Sequence, residues 1–240
     1  MGAVIYAFIL SLLAILSLAG PAASQLNPHT AAAGCVGSDA DITSPEAREA
    51  TCLLELSERA SRKGNVLSLR LDNATIKTFR SNPDACKNDL ADKCVTFRLV
   101  GYHAAAGRYI VLVQGYEGYE CRLVGARDGK ATTFLGCPHF APDSSTFFVT
   151  GYDGSYDNWI GIGSVASNPP ALVWEQGPDV SHDWHFLHWI DNDQVALRDS
   201  AQTASCPDGN CEAVLRRTAD GWVLQALPSR SSPKRGNTIR

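Results

Sequence analysis

Three histidines crowd into Ser181-His182-Asp183-Trp184-His185-Phe186-Leu187-His188-Trp189, a spacing that invites a metal ion. A regular strand over 184–190 alternates its side chains. His188 then shares a face with Trp184 and Phe186, while His185 shares the other with Leu187 and Trp189. The imidazoles cannot converge, and packing and hydrogen bonding among tryptophans is their expected role. Oxygen ligands occur in Asp153-Gly154-Ser155-Tyr156-Asp157-Asn158 and in Asp191-Asn192-Asp193. Neither has the sixth-position Gly and distal Glu of an EF-hand loop, and Asx turns account for the side chains. No metal and no cofactor is expected.

Catalytic signatures are equally sparse. There is no Gly-x-Ser-x-Gly elbow, Ser164 sits in an unremarked Gly163-Ser164-Val165 context, and no glycine-rich phosphate loop occurs. Carboxylate pairs do exist, Glu117 with Glu120 and Asp153 with Asp157, and two acids at the right separation suffice for a glycosidase. Aromatic residues stand beside them: Tyr116, Tyr119, Tyr152, Tyr156 and Trp159. Aromatic faces bordered by carboxylates can stack on sugars or clasp basic peptides, and loops on a rigid scaffold are common binding places. The ligand-binding candidates are therefore Tyr116, Glu117, Tyr152, Asp153, Tyr156 and Trp159, with no catalytic residue assigned.

The compartment follows from the leader and the cysteines. Residues 1–24 carry no Asp, Glu, Lys or Arg, and an apolar run ends in Gly20-Pro21 with small residues at Ala22 and Ser24. This is the layout of a signal peptide cut before Gln25. A signal anchor is the alternative, against which the Gly-Pro pair argues. All eight cysteines follow the cut, which suits disulfides in an oxidising compartment, periplasmic or extracellular. Sequence neighbours give the pairs Cys35 with Cys52, Cys86 with Cys94, Cys121 with Cys137, and Cys206 with Cys211. Folding about Asp128-Gly129 brings positions 121 and 137 opposite each other, and Pro207-Asp208-Gly209-Asn210 is a turn clasped by Cys206 and Cys211. The chain carries a net charge of −4, and its tail 229–240 holds four cations and no acid, so the remainder stands at −8. An acidic body argues against nucleic acid as partner, and the tail reads as disordered. Asn73-Ala74-Thr75 is a glycosylation acceptor only in a eukaryotic secretory pathway.

These side chains need elements to hold them. A single helix is expected over 44–63, opened by Thr43 and Glu46 at capping-box spacing with Pro45 in the first turn, and stopped at Gly64. The Cys35 to Cys52 bridge would pin the segment 25–43 to it. Beyond it, short β-branched and aromatic runs predict strands over 66–71, 75–80, 95–103, 108–114, 119–126, 131–136, 146–152, 159–165, 171–175, 184–190, 194–199, 212–218 and 222–225. Short connections make these an antiparallel up-and-down meander, one mainly β domain over 44–228.

One echo stands out. Tyr109-Ile-Val-Leu-Val-Gln-Gly115-Tyr116-Glu117-Gly118 returns 36 residues later as Thr146-Phe-Phe-Val-Thr-Gly151-Tyr152-Asp153-Gly154, each a strand running into Gly-Tyr-acid-Gly. Phe140-Ala-Pro-Asp143-Ser-Ser-Thr-Phe147 reads as a turn and strand, and Trp189-Ile-Asp-Asn-Asp-Gln-Val195 repeats that theme. Over residues 95–227 this resembles the β-propeller blade repeats of exported bacterial proteins of unassigned function, whose blades recur at roughly such spacings. The resemblance implies equivalent loops on one rim, with Tyr116 and Tyr152 exposed over a shared depression beside Glu117 and Asp153. Propeller-like blades, a β-sandwich and a curved meander remain open as architectures. The expected function is an exported, non-catalytic binding or scaffold protein of the cell envelope or extracellular space. Its partner would be a protein or polysaccharide, with no membrane span after cleavage. The alternatives are a secreted hydrolase using the loop carboxylates and a structural or inhibitor module.

Overall fold

The structure, a computed structural model, describes residues 33–34, 44–152, 158–179, 181–203 and 206–227. The leader, Cys35, Thr43, Asp153, Tyr156 and the basic tail lie outside the described residues. The chain is mainly β, in four antiparallel sheets.

After the short strand β1 (Ala33–Gly34) comes helix α1 (Pro45–Glu55), shorter than the sequence suggests. Ser44 is its N-cap, its hydroxyl accepting from Ala47 N at 3.1 Å, with Pro45 in the first turn. The rest of the expected helix is β2 (Ala60–Lys63), which pairs with β3 (Val66–Arg70) about the turn at Asn65. Tertiary pairing overrides local propensity there: Ala60 and Leu69 sit opposite each other, both buried. β4 (Ile76–Arg80) completes a three-stranded sheet. Next, between the expected strands 75–80 and 95–103, come a one-turn helix α2 (Pro83–Lys87) and a 3-10 turn (Ala91–Lys93), closed by the Cys86–Cys94 disulfide.

The second sheet runs in the order β1, β5 (Thr96–His103), β6 (Arg108–Gln114), β7 (Tyr119–Gly125), β8 (Ala131–Phe134). The third contains β9 (His139–Phe140), β10 (Thr146–Tyr152), β11 (Asn158–Ser164) and β12 (Ala171–Asp179), and the fourth β13 (Trp184–Asp191), β14 (Gln194–Asp199), β15 (Cys211–Thr218) and β16 (Gly221–Ala226). Apart from β1, strands adjacent in the chain are adjacent in each sheet, the signature of a meander. Disulfides join Cys121 to Cys137 and Cys206 to Cys211. Cys52 is also disulfide-bonded, and Cys35, its expected partner, lies outside the described residues. Disulfides of this number suit a non-cytoplasmic protein, and no helix among the described residues is long and apolar enough to cross a membrane.

The four sheets pack in chain order. Leu67, Leu69 and Phe79 of the first meet Leu99, Tyr109 and Val111 of the second. The second's other face, with Ile110, Leu123 and Phe134, meets Phe147 and Val149 of the third. Phe148, Ile160 and Ile162 then meet Trp184, Trp189, Val195, Leu197 and Trp222 of the fourth. A sheet buried on both faces explains why 109–113 and 147–149 are unbroken apolar runs rather than alternating ones. Glu49 ties α1 to two sheets: it pairs with Arg62 at 2.6 Å and accepts from Leu99 N at 3.0 Å. As a buried carboxylate it needs these partners.

β13 departs from the alternation expected of it. A bulge between Phe186 and His188 inserts one residue, so Trp184 and Trp189, an odd number apart, both point into the same core.

Candidate functional site

A cavity of about 590 Å³ opens where the second, third and fourth sheets meet the first turn of α1. Gln114 and Tyr119 reach it from the ends of β6 and β7, His139 from β9, Thr150 from β10, and His185 and Phe186 from β13. Phe186 stacks on His139 with ring centroids 3.9 Å apart and planes 14° from parallel, making a flat apolar wall. Thr150 donates to Trp184 O at 3.0 Å, leaving its oxygen lone pairs as acceptors. Arg48 also lines the cavity, and among the described residues no Asp or Glu does. The cavity thus combines aromatic surface, amide, hydroxyl and imidazole groups.

Its rim carries a polar network. Tyr152 donates to Asp183, which also accepts from Ser200 Oγ and lies 3.1 Å from His185 Nε2. Partial burial pushes the Asp183 carboxyl upward, but the hydrogen bonds from Ser200, Tyr152 and His185 outweigh it and the net shift is downward. The Tyr152 phenol is pushed up to about 12, first by burial and then by the hydrogen bond to Asp183 and that carboxylate's charge. Tyr119 stands close enough to Tyr152 to add a further upward push. Behind this network, buried Asp199 accepts from Asp183 N at 2.9 Å and Ala201 N at 3.0 Å, and lies 2.6 Å from His182 Nδ1. The three histidines of β13 and its approach therefore diverge: His182 goes to Asp199, His185 to Asp183 and Ser200, and His188 stands exposed.

The expected candidates separate. Tyr116 and Tyr152 are both exposed, yet they face different surroundings. Tyr116 donates to Asp89 at 3.2 Å and lines a smaller cavity of about 320 Å³ with Thr96 and Arg98. Tyr152 joins the Asp183 network at the larger one, and Gln114 touches both cavities. The tyrosine beside Tyr152 is thus Tyr119, not Tyr116. Glu117 is exposed in the turn and lines neither cavity. Trp159 packs partly into the core between the second and third sheets. Asp153 and Tyr156 lie outside the described residues. Sequence reasoning missed Gln114, His139, Thr150 and Phe186, and set His185 aside as a metal ligand in favour of packing and hydrogen bonding. For Gln114 and Thr150 the available signal was their position near the strand ends that run into the two echoed turns; His139, His185 and Phe186 lie on strands that the echo does not mark.

No protein-family model matches the chain, and no curated protein matches it. Among solved structures, a protein of Bacteroides uniformis provisionally named a 6-phosphogluconolactonase is similar at 13% identity and a TM-score of 0.31, over 70% of this chain and 65% of that one. The chain thus spans less than two thirds of that protein's length, and a likeness at this level carries no argument about fold or function.

Proposed function

We propose that this is an exported, non-catalytic binding protein of propeller-like blade architecture, whose ligand is a polyhydroxylated chain, a polysaccharide segment, seated in the cavity at the junction of three sheets. The observation that carries the reading is Tyr119, exposed in the lining of a cavity that offers an aromatic wall with Gln114, Thr150 and His185 beside it, while Tyr152 stands exposed nearby, joined through Asp183 to His185. A sugar ring presents an apolar face to stack on an aromatic ring and hydroxyls that both donate and accept, which matches this mixture. Export is supported by the leader and the disulfides, and the non-catalytic reading is in keeping with a lining that, among the described residues, holds no pair of acids.

The test is calorimetric titration with a panel of neutral and acidic hexasaccharides. Wild-type protein binds at least one, and Tyr119→Ala with Tyr152→Ala together weaken that affinity by at least tenfold, in line with about 1 to 3 kcal/mol for two lost aromatic contacts. Wild-type affinity in the double variant, or hydrolysis of a panel member by the wild type, overturns the reading.

A further inference from the structure

The outward face of the first sheet is unlike the rest of the molecule. The registers of β2, β3 and β4 place Ser61, Ser68 and Thr78 in one row across three strands, flanked on one side by the row Lys63, Val66, Arg80 and on the other by Arg70 opposite Ile76. The opposite face carries Ala60, Leu67, Leu69 and Phe79 into the core, so pleating leaves this one outward. Lys63, Arg70 and Arg80 are exposed, and none makes a side-chain hydrogen bond or ion pair among the described residues. Of the other cations nearby, Arg59 pairs with Asp72, Arg62 with Glu49 and Arg98 with Glu46, while Lys77 stands opposite Leu69, on the other side of the pleat. No Asp or Glu belongs to the three rows. In a body whose charge is −8 without the tail, three unpaired cations on one flat face are a local reversal of sign.

We infer that this face is a docking surface for an acidic polysaccharide, a linear chain bearing carboxylates or sulfates. Sheet geometry sets Lys63 and Arg80 about 10 Å apart across two strand spacings, and Arg70 about 13 Å along β3 from the Lys63 row. Charges so spread suit an extended ligand with single charges repeated along it. They are too sparse for a duplex carrying one phosphate per about 1.7 Å. The hydroxyl row running between the cations supplies donors and acceptors for sugar hydroxyls. Ile76 is the one large exposed apolar side chain on the face, too little to anchor it in a bilayer. The surface is distinct from the cavity at the three-sheet junction and does not depend on it.

The experiment uses the full mature chain and immobilised polygalacturonate, with dextran as the neutral counterpart. At low salt the protein is retained on polygalacturonate and not on dextran, and retention falls steeply as salt is raised. Lys63→Gln, Arg70→Gln and Arg80→Gln combined lower the affinity at least tenfold. A control carrying Lys87→Gln, Arg198→Gln and Arg217→Gln, the same change in net charge on other surfaces, keeps wild-type affinity. Both variants should melt near the wild-type temperature, because the three cations of the face have no partners to lose and the control loses only two exposed ion pairs, Lys87 with Asp84 and Arg217 with Asp193, which contribute little. Equal losses in the two variants, wild-type affinity in the first, or binding to phosphatidylserine vesicles without binding to polygalacturonate would each overturn the inference.

Discussion

The two Gly-Tyr-acid-Gly strand ends share a sequence, but not an environment. At the first, Gly115 N donates to Gly118 O at 2.8 Å and closes a turn that touches little else, with Tyr116 tethered only to Asp89. At the second, Gly151 is buried against the backbone of Leu135 and Gly136, and Tyr152 enters a network that spans two sheets. An echo of residues therefore specifies a strand that ends in Gly-Tyr. What that strand end can do is set by the sheet that happens to pack beside it, here β13 and its approach.

The largest expected effect separates the two glycines. A Cβ on Gly151 would sit 2.8 Å from Leu135 C and 2.9 Å from Gly136 N, whereas one on Gly115 meets nothing nearer than Gly118 O at 3.7 Å. Since backbone cannot swing aside as a side chain can, Gly151→Ala should cost about 1 to 3 kcal/mol, and Gly115→Ala no more than about 0.5 kcal/mol. Urea unfolding of both variants checks this. Equal costs would mean that the two strand ends are packed alike.

A smaller effect concerns the second tyrosine. With its phenol pushed up to about 12, Tyr152 stays neutral in the folded chain while the unfolded chain releases the proton from about pH 10 upward. The contribution to stability is complete below pH 10 and is lost as pH rises towards 12. Titration followed by phenolate absorbance should show one late-ionising phenol fewer in Tyr152→Phe, and stability in that variant should fall less steeply over the same window. Tyr109, whose phenol burial also pushes up, keeps its own late component in both proteins. An unchanged late component in Tyr152→Phe would contradict the placement of Tyr152 beside Asp183.

Much of the fold was legible because meander strands announce themselves locally. The runs at 108–114, 146–152 and 194–199 coincide with β6, β10 and β14 residue for residue. The misreadings are cases where pairing with a neighbouring strand, and not the segment's own residue types, decides. The segment 60–63 carries helical residues yet pairs with β3, and His139-Phe140 becomes a strand only through β10. The parity of β13 flips at a bulge that no residue type marks. For the site, the aromatic strand ends were readable, but the pairing of Tyr119 with Tyr152 was not. It depends on how the third sheet stacks on the second, which the echo does not encode.

The most direct test of the cavity as the binding site is backbone amide chemical-shift mapping, titrating labelled protein with whichever hexasaccharide of the panel binds. The largest shifts should fall at Gln114, Tyr119, Thr150, His185 and Phe186, while Thr96, Tyr116 and the outward face of β2 to β4 stay unmoved. Shifts concentrated at Thr96 and Tyr116, with none at Thr150 or His185, would place the ligand at the first strand end and contradict the account.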